Sequence, residues 1–250
     1  MLGPAPGEGL KEIQQRSPDR LHERDSLVMK KAHDGLTELL SSLELLNRGG
    51  DMDLVGRVSN EKLLIIDPIL ECWLNKILYY KGHPNIQTPY WHNERANVSM
   101  LASSATSCDW QVLEEVPQKK ISLTGTQSKG RVDLWMRNET VSFFIEAKID
   151  WPEISKRVKL KGINKLIDLT LDDTKRLVSK EHRLLAISFI VPRILKSNEN
   201  DLETCISEFI DVCKQSNPEL MAWSFLDRFR KMAFSKYYYP GIVILGREVE

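Results

Sequence analysis

The sequence predicts an α/β protein in which a mixed β-sheet is flanked by helices and preceded by a helical extension. The first observation is a succession of β-rich runs at Trp110–Val116, Gly130–Met136 and Val141–Ile149. The second is the apolar run Leu184–Val191, which is typical of a buried strand. The third is helical periodicity in the segments before and between these runs. Helices and strands in this order favour a sheet with helices on its faces.

Length and composition indicate a globular protein. The chain has 250 residues, of which 42% are hydrophobic and 28% are charged, as in ordinary soluble domains. Its apolar runs are too short to span a membrane. Its first ten residues do not resemble a signal peptide, so a cytoplasmic protein without a membrane partner is expected. The four cysteines are scattered, which argues against a disulfide scaffold or a zinc site.

The overall charge limits the kind of nucleic-acid binding that is expected. Lysine plus arginine and aspartate plus glutamate both number 35, so the formal net charge is zero. This balance argues against a protein that coats nucleic acid nonspecifically, because such binding needs an excess of basic residues. It is compatible with an enzyme that has a local basic cleft, where the distribution of charge matters more than its sum.

Three regions are predicted along the chain. Residues 1–20 are expected to form a flexible tail, because glycine and proline are frequent there and nothing apolar is available for burial. Residues 21–85 are expected to be helical, with one helix to Asn47 and a second after Ser59 that Pro68 breaks or kinks. These helices are interpreted as a hairpin that packs on the main domain or, in a homodimer, on a second copy of the chain. Residues 86–250 form the predicted main domain.

The main domain is predicted to alternate helices with strands. A helix at Asn93–Ala105 precedes the three β-rich runs. After them the pattern predicts a helix from Pro152 to about Lys180, the strand Leu184–Val191, a helix at about Asp201–Gln215, and strands near Met221–Phe225 and Gly241–Leu245.

Two charged residues stand at the end of a strand that is otherwise suited to burial. Side chains alternate along a strand, so Glu146 and Lys148 share one face. A hairpin whose turn is centred just after Asn138 pairs Asp133 with Phe144 and makes Asp133 a diagonal neighbour of Glu146. A slip of one residue would move the two carboxylates to opposite faces.

Converging carboxylates predict a metal site. Asp133 and Glu146 repel each other unless a cation joins them, and carboxylate ligands suit Mg²⁺ or Mn²⁺ better than zinc. Such an ion can lower the pKa of a bound water and neutralise charge on a phosphate oxygen. Lys148 can orient or deprotonate that water, or stabilise the transition state electrostatically. Together these properties favour phosphodiester hydrolysis.

The segments Gly130–Asp133 and Phe144–Lys148, with the hairpin between them, resemble the D…(D/E)-x-K signature of the PD-(D/E)XK nuclease superfamily. The predicted order of elements from Asn93 to Val191 is similar to the αβββαβ core of the restriction endonuclease-like fold. Val132 stands where the textual pattern has proline. The chain is also similar to an uncharacterised bacterial branch with the strings Glu-x-x-Asn-Val-Ser and Gly-Arg-x-Asp-Leu-Trp, here at residues 94–99 and 130–135.

The resemblance implies a role for each residue of the signature. Asp133 and Glu146 are implied metal ligands, the backbone carbonyl of Ala147 is a further ligand, and Lys148 is the catalytic base or stabiliser. Glu94 matches the acidic residue that the family often carries on the helix before its first core strand. The implied activity is Mg²⁺- or Mn²⁺-dependent cleavage of DNA, with RNA open as an alternative substrate.

Basic residues near the signature are expected to contact nucleic acid. Lys156, Arg157, Lys159 and Lys161 follow the hairpin, and together with Arg131 they are predicted to hold the phosphate backbone. The alternative interpretation is a solvated helix face, because several aspartates follow closely.

Two other hypotheses remain open on the sequence alone. In one, the chain keeps the nuclease fold as an inactive module that binds nucleic acid or protein. In the other, it is an unrelated α/β protein, and Glu146 and Lys148 form only an ion pair at a strand end. Wide separation of Asp133 from Glu146 would favour the second of these.

Overall fold

A seven-stranded mixed sheet forms the centre of the part of the chain that the computed structural model describes, residues 54–80, 88, 90–122, 125–155 and 159–249. All of these residues belong to one compact unit. The strands of the sheet are β1 (Leu54–Ser59), β2 (Gln111–Ile121), β3 (Gln127–Arg137), β4 (Ser142–Asp150), β5 (Arg183–Ile190), β7 (Leu220–Phe225) and β10 (Ile242–Val249). Their order across the sheet is β1-β7-β10-β5-β4-β3-β2. The predicted mixed sheet is therefore confirmed.

Helices cover both faces of the sheet. The longer helices are α1 (Asp67–Leu78), α2 (Glu94–Ser107), α3 (Leu160–Lys175) and α4 (Leu202–Gln215), and 3₁₀ helices occupy Glu61–Ile66 and Lys196–Asp201. Side chains of α1 and α2 pack with strand residues such as Phe143 and Ile187 in one core cluster. Side chains of α3 and α4 pack with other strand residues, such as Ile190 and Val243, in a second cluster. The predicted α/β architecture with flanking helices is confirmed by these two cores.

One parallel pair of strands determines the path of the chain near the predicted site. Strands β2, β3 and β4 form an antiparallel meander, whereas β4 pairs with β5 in parallel. Parallel neighbours require a crossover, and α3 provides it. The buried polar pair Thr170 and Ser188, whose hydroxyl oxygens lie 2.9 Å apart, joins α3 to β5. From α2 to β5 the elements follow the order helix, three strands, helix, strand.

The predicted helical region at residues 21–85 is wrong at one of its segments. Leu54–Ser59 is a strand that pairs antiparallel with β7 at the edge of the main sheet. Gly56 lies opposite Trp223, and a side chain at position 56 would overlap the Trp223 ring. Sequence periodicity did not reveal this strand because its pairing partner lies more than 160 residues further along the chain. The main domain therefore begins before residue 86.

The second predicted helix of that region is confirmed. Asn60 caps the 3₁₀ helix, because its side chain accepts the backbone N–H of Leu63. Pro68 lies in the first turn of α1, where its missing N–H has no cost, so the predicted break near Asp67 is also confirmed. The buried side chains of α1, including Trp73 and Ile77, belong to the same core cluster as the strands. This helix packs on the main domain of its own chain.

Several short elements were not predicted. Strands β6 (Ile194–Leu195), β8 (Ala233–Phe234) and β9 (Tyr237–Tyr238) form a small second sheet, and α5 (Asp227–Arg230) is a single helical turn. Elements of two to four residues are too short to produce a recognisable periodicity. The predicted tail at residues 1–20 and the predicted helix to Asn47 lie outside the described residues. No helix within the described ranges has both the length and the apolar character needed to cross a membrane.

Candidate active site

The hairpin of β3 and β4 carries the predicted signature with a different register from the expected one. Trp135, and not Asp133, pairs with Phe144, and Leu134 pairs with Ile145. Asn138 explains the difference, because its side chain accepts the backbone N–H of Thr140 and of Val141 and centres the turn one residue further along the chain. The shift moves the pairing by two residues. It therefore preserves the faces and brings Asp133 opposite Glu146.

Asp133 is held at the point where the regular ladder between β3 and β4 ends. Its Oδ2 accepts the backbone N–H of Ala147 at 2.7 Å. Partial burial raises the pKa of Asp133, while this N–H and the ammonium groups of Lys120 and Lys148 act in the opposite direction. Ala147 is fully buried, so the peptide next to Glu146 is fixed in the core.

Glu146 is a buried carboxylate with incomplete hydrogen bonding. Only 2% of the residue is exposed. Its Oε2 accepts a hydrogen bond of 2.9 Å from Nζ of Lys120. Its Oε1 lies 2.8 Å from the same Nζ, but it has no hydrogen bond of acceptable geometry. Burial raises the pKa of Glu146 to about 7, the nearby charge of Asp133 adds to the rise, and Lys120 opposes it.

Lys148 is held by a carboxylate of the crossover helix. Its Nζ lies 2.8 Å from Oδ2 of Asp173 on α3. Asp173 follows Thr170 by three residues, so it lies on the same helical face that contacts Ser188, and Ser188 pairs with Lys148 across β4 and β5. Partial burial lowers the pKa of Lys148, but Asp173, Glu94 and Asp133 raise it by more. Lys148 is therefore positively charged at neutral pH.

Glu94 reaches the same electrostatic environment from a different element. It is the first residue of α2, directly after Asn93, whose side chain caps the helix by accepting the N–H of Ala96. Partial burial raises the pKa of Glu94, and the charge of Asp133 adds to this effect. The ammonium group of Lys148 and the backbone N–H of Ile149 act in the opposite direction. Glu94 thus interacts with both ends of the predicted signature.

A cleft of about 250 Å³ opens beside these groups and is lined in part by Glu94 and Asp133. Glu115 also lines this cleft. It lies opposite Asp133, because the residues before and after Glu115 pair with the residues after and before Asp133. Its φ of 56° is unusual for a residue other than glycine. The side chain of Glu115 is paired with Arg95 at 2.7 Å and with Arg131 at 3.5 Å. The two arginines lower the pKa of Glu115, and the negative charge of Glu115 contributes to the raised pKa of Asp133.

The donor groups of the site suit a hard divalent cation, although they are not arranged as a finished metal centre. Among the residues that the structure describes, no three His, Cys, Asp or Glu side chains are grouped so that they could hold an ion. Oε1 of Glu146 is nevertheless a buried oxygen without a hydrogen bond, and an acidic oxygen of this kind is a ligand that Mg²⁺ or Mn²⁺ prefers. The residues present therefore fit such an ion, provided that Lys120 moves away from Glu146.

The predicted contacts to nucleic acid are only partly gathered at the site. Arg131 is exposed on β3 and is paired with Glu115 near the cleft. Lys159 and Lys161 are exposed at the beginning of α3. Lys156 and Arg157 lie outside the described residues.

Sequence reasoning missed two charged partners, Lys120 and Asp173. Lys120 comes from β2 and contacts Glu146 across the intervening strand β3. Lys119 and Lys120 are adjacent, and no signal in the sequence distinguishes the lysine that contacts Glu146. Asp173 is one of the aspartates that favoured the interpretation of a solvated helix face. Its spacing of three residues from the buried Thr170 is the signal that could have identified it as a residue on the buried side of α3.

The buried Glu146 carboxyl is expected to make stability fall as pH rises. Its pKa is about 7 in the folded state and about 4.5 when unperturbed, so between these values the folded state binds more protons. We expect the free energy of unfolding of the natural protein, relative to Glu146→Gln, to fall by about 3 kcal/mol across this interval. Above the folded pKa the difference should be constant. Urea titrations in a chelator at several pH values measure it, and a pH-independent difference would contradict the raised pKa.

Comparisons with protein-family models, with curated proteins and with solved structures found no match. Function is therefore inferred from the residues of the site and from their contacts.

Proposed function

We propose that the protein is a metal-dependent nuclease of the PD-(D/E)XK type that hydrolyses phosphodiester bonds in DNA. The observation that carries this proposal is the common environment of Asp133, Glu146, Lys148 and Glu94. The charge of Lys148 acts on the pKa of all three carboxylates, and the charge of Asp133 raises the pKa of both glutamates. Three elements, β3, β4 and α2, contribute these groups. Perturbed titratable groups beside a cleft are typical of catalytic sites.

The order of elements supports the same proposal. The sequence α2, β2, β3, β4, α3 and β5 runs helix, three strands, helix, strand, with β4 and β5 parallel. This is the order expected of a restriction endonuclease-like core. The signature residues lie on β3 and β4, and β4 is the strand that pairs with β5 in parallel. Fold order alone does not establish an activity, so the main support remains the side chains.

Each residue has a proposed role. Asp133, Glu146 and the backbone of Ala147 would hold a Mg²⁺ or Mn²⁺ ion, which when bound would acidify water and neutralise charge on the phosphate. Lys148 is positively charged at neutral pH, which favours electrostatic stabilisation of the phosphate over general base catalysis. Asp173 holds the Lys148 ammonium in position. Glu94 adds negative charge at the edge of the site.

A second candidate function is an inactive module that binds nucleic acid or protein. The observation that favours it is that both lysines already have carboxylate partners, Lys120 with Glu146 and Lys148 with Asp173. These ion pairs compensate the buried charge without a metal. Binding without cleavage would be the result that supports this candidate.

The test is cleavage of a panel of single-stranded, double-stranded and branched DNA and RNA in Mg²⁺ or Mn²⁺. We expect metal-dependent cleavage of DNA that is lost in Asp133→Asn, because the variant keeps the side-chain shape but loses a charged ligand. Glu139→Gln, an exposed change in the turn of the same hairpin, should cleave like the natural protein. Cleavage by the Asp133 variant at the rate of the natural protein would refute the proposed site. Cleavage of RNA alone would show that the substrate is RNA and not DNA.

A further inference from the structure

Lys120 reaches the predicted ligand Glu146 from a strand that is not its neighbour. The side chain begins on β2, whereas Glu146 lies on β4, with β3 between them. Its Nζ lies within 2.9 Å of both carboxylate oxygens, and 25% of the side chain is exposed. Glu146 itself has almost no access to solvent. Among the described residues, Lys120 is the side chain that forms an ion pair with this buried carboxylate.

Gly130 provides the path that Lys120 follows over β3. Lys120 pairs with Ser128 and Gln118 pairs with Gly130, so the lysine stem runs diagonally across the glycine. A Cβ at position 130 would lie 2.9 Å from Cδ and 3.0 Å from Cγ of Lys120. Contacts that short force one partner to move, and the flexible lysine stem can move more easily than the sheet. An alanine at this position would therefore push Lys120 away from Glu146 while keeping its charge in the protein.

We propose that Lys120 is an internal counter-cation that competes with a divalent ion for Glu146. This inference rests on the proposed function, since it requires Glu146 to be a metal ligand. An ammonium group in contact with both oxygens of Glu146 repels a divalent cation that approaches the same oxygens. Binding of the ion therefore includes the release of Lys120. In the metal-free protein Lys120 holds the Glu146 carboxylate in position, and this contact lowers the affinity for the ion.

The test is calorimetric titration of the full chain with Mg²⁺, which does not depend on activity. The variants are Lys120→Met, which removes the ammonium, and Gly130→Ala, which displaces it. The control is Lys129→Met, because Lys129 is exposed on β3 beside Gly130. The titration is carried out at about pH 9, where carboxyl groups are ionised and lysine side chains are still protonated. We expect both variants to bind Mg²⁺ at least about tenfold more tightly than the natural protein, a difference of ~1.4 kcal/mol, and the control to be unchanged.

The outcomes distinguish this inference from the proposed function. If the natural protein binds Mg²⁺ and both variants bind it equally or more weakly, competition by Lys120 is refuted and the metal site remains. If binding is unaffected by Glu146→Gln, the ion lies elsewhere and the inference about Lys120 fails with it. Absence of binding in every variant would refute the metal site and therefore both proposals. Circular dichroism and a thermal melt of each variant establish that it is folded at the titration temperature.

Discussion

Replacing Lys148 by methionine is expected to slow metal-dependent phosphodiester cleavage by about 10²–10⁴-fold. The affinity for Mg²⁺ should change little, because the Lys148 ammonium is paired with Asp173 and not with a predicted metal ligand. The reason for the loss is charge: Asp173 and the neighbouring carboxylates keep the lysine protonated, so it can stabilise negative charge on the phosphate. Single-turnover cleavage and calorimetric titration with Mg²⁺ measure the two quantities separately.

Three comparisons make the Lys148 prediction specific. Lys129→Met removes an exposed lysine from the same hairpin and should leave the rate unchanged. Lys148→Arg keeps the positive charge and should recover part of the rate, which a general base could not do, because arginine stays protonated. Asp133→Asn should instead weaken Mg²⁺ binding. A Lys148→Met variant with the full rate would exclude this residue from the chemistry.

The charged face of β4 could be predicted from the sequence because alternation along a strand is a local property. Glu146 and Lys148 share a face in any strand that contains both residues. The predicted register with β3 was wrong by two residues, yet the error did not matter for the faces, since a shift of two residues preserves them. The end of β3 and the beginning of β4 were predicted to within one residue. Asp133 and Glu146 could therefore be brought together without knowledge of the exact turn.

The partners of these residues could not be predicted because they depend on long-range packing. Lys120 is 26 residues from Glu146 in sequence and comes from a strand two positions away in the sheet. Its role depends on the absence of a side chain at Gly130, which has no meaning until the register of β2 and β3 is known. Asp173 depends in the same way on where α3 crosses β5. These are the contacts that decide the charge of the site.

The beginning of the main domain could not be placed from the sequence for a related reason. Helical periodicity correctly indicated α1, but it could not show which surface the apolar face of the helix covers. In the structure Ile69, Trp73 and Ile77 are fully buried in the cluster that also contains Phe143 and Ile145 of β4. Helix α1 is thus part of the core that supports the strand of Glu146.

Replacing Trp73 by alanine is accordingly expected to lower the free energy of unfolding by about 3–5 kcal/mol, the cost of removing a large aromatic side chain from a core. Trp73 has no exposed surface, so the cavity would open directly beneath the sheet. For a domain of this size the melting temperature should fall by about 10 °C. Urea unfolding in the presence of a chelator measures the loss without any contribution from bound metal.

The matched control and a second substitution determine what the loss means. Tyr79 follows the last residue of α1 and is 73% exposed, so Tyr79→Ala should change stability by less than about 0.5 kcal/mol. The Nε1 group of Trp73 is buried without a hydrogen-bond partner. Trp73→Phe removes this unsatisfied donor while it keeps most of the volume, and it should therefore cost less than the alanine variant. A Trp73→Ala variant as stable as Tyr79→Ala would show that α1 is a separable extension and that the core beneath Glu146 does not require it.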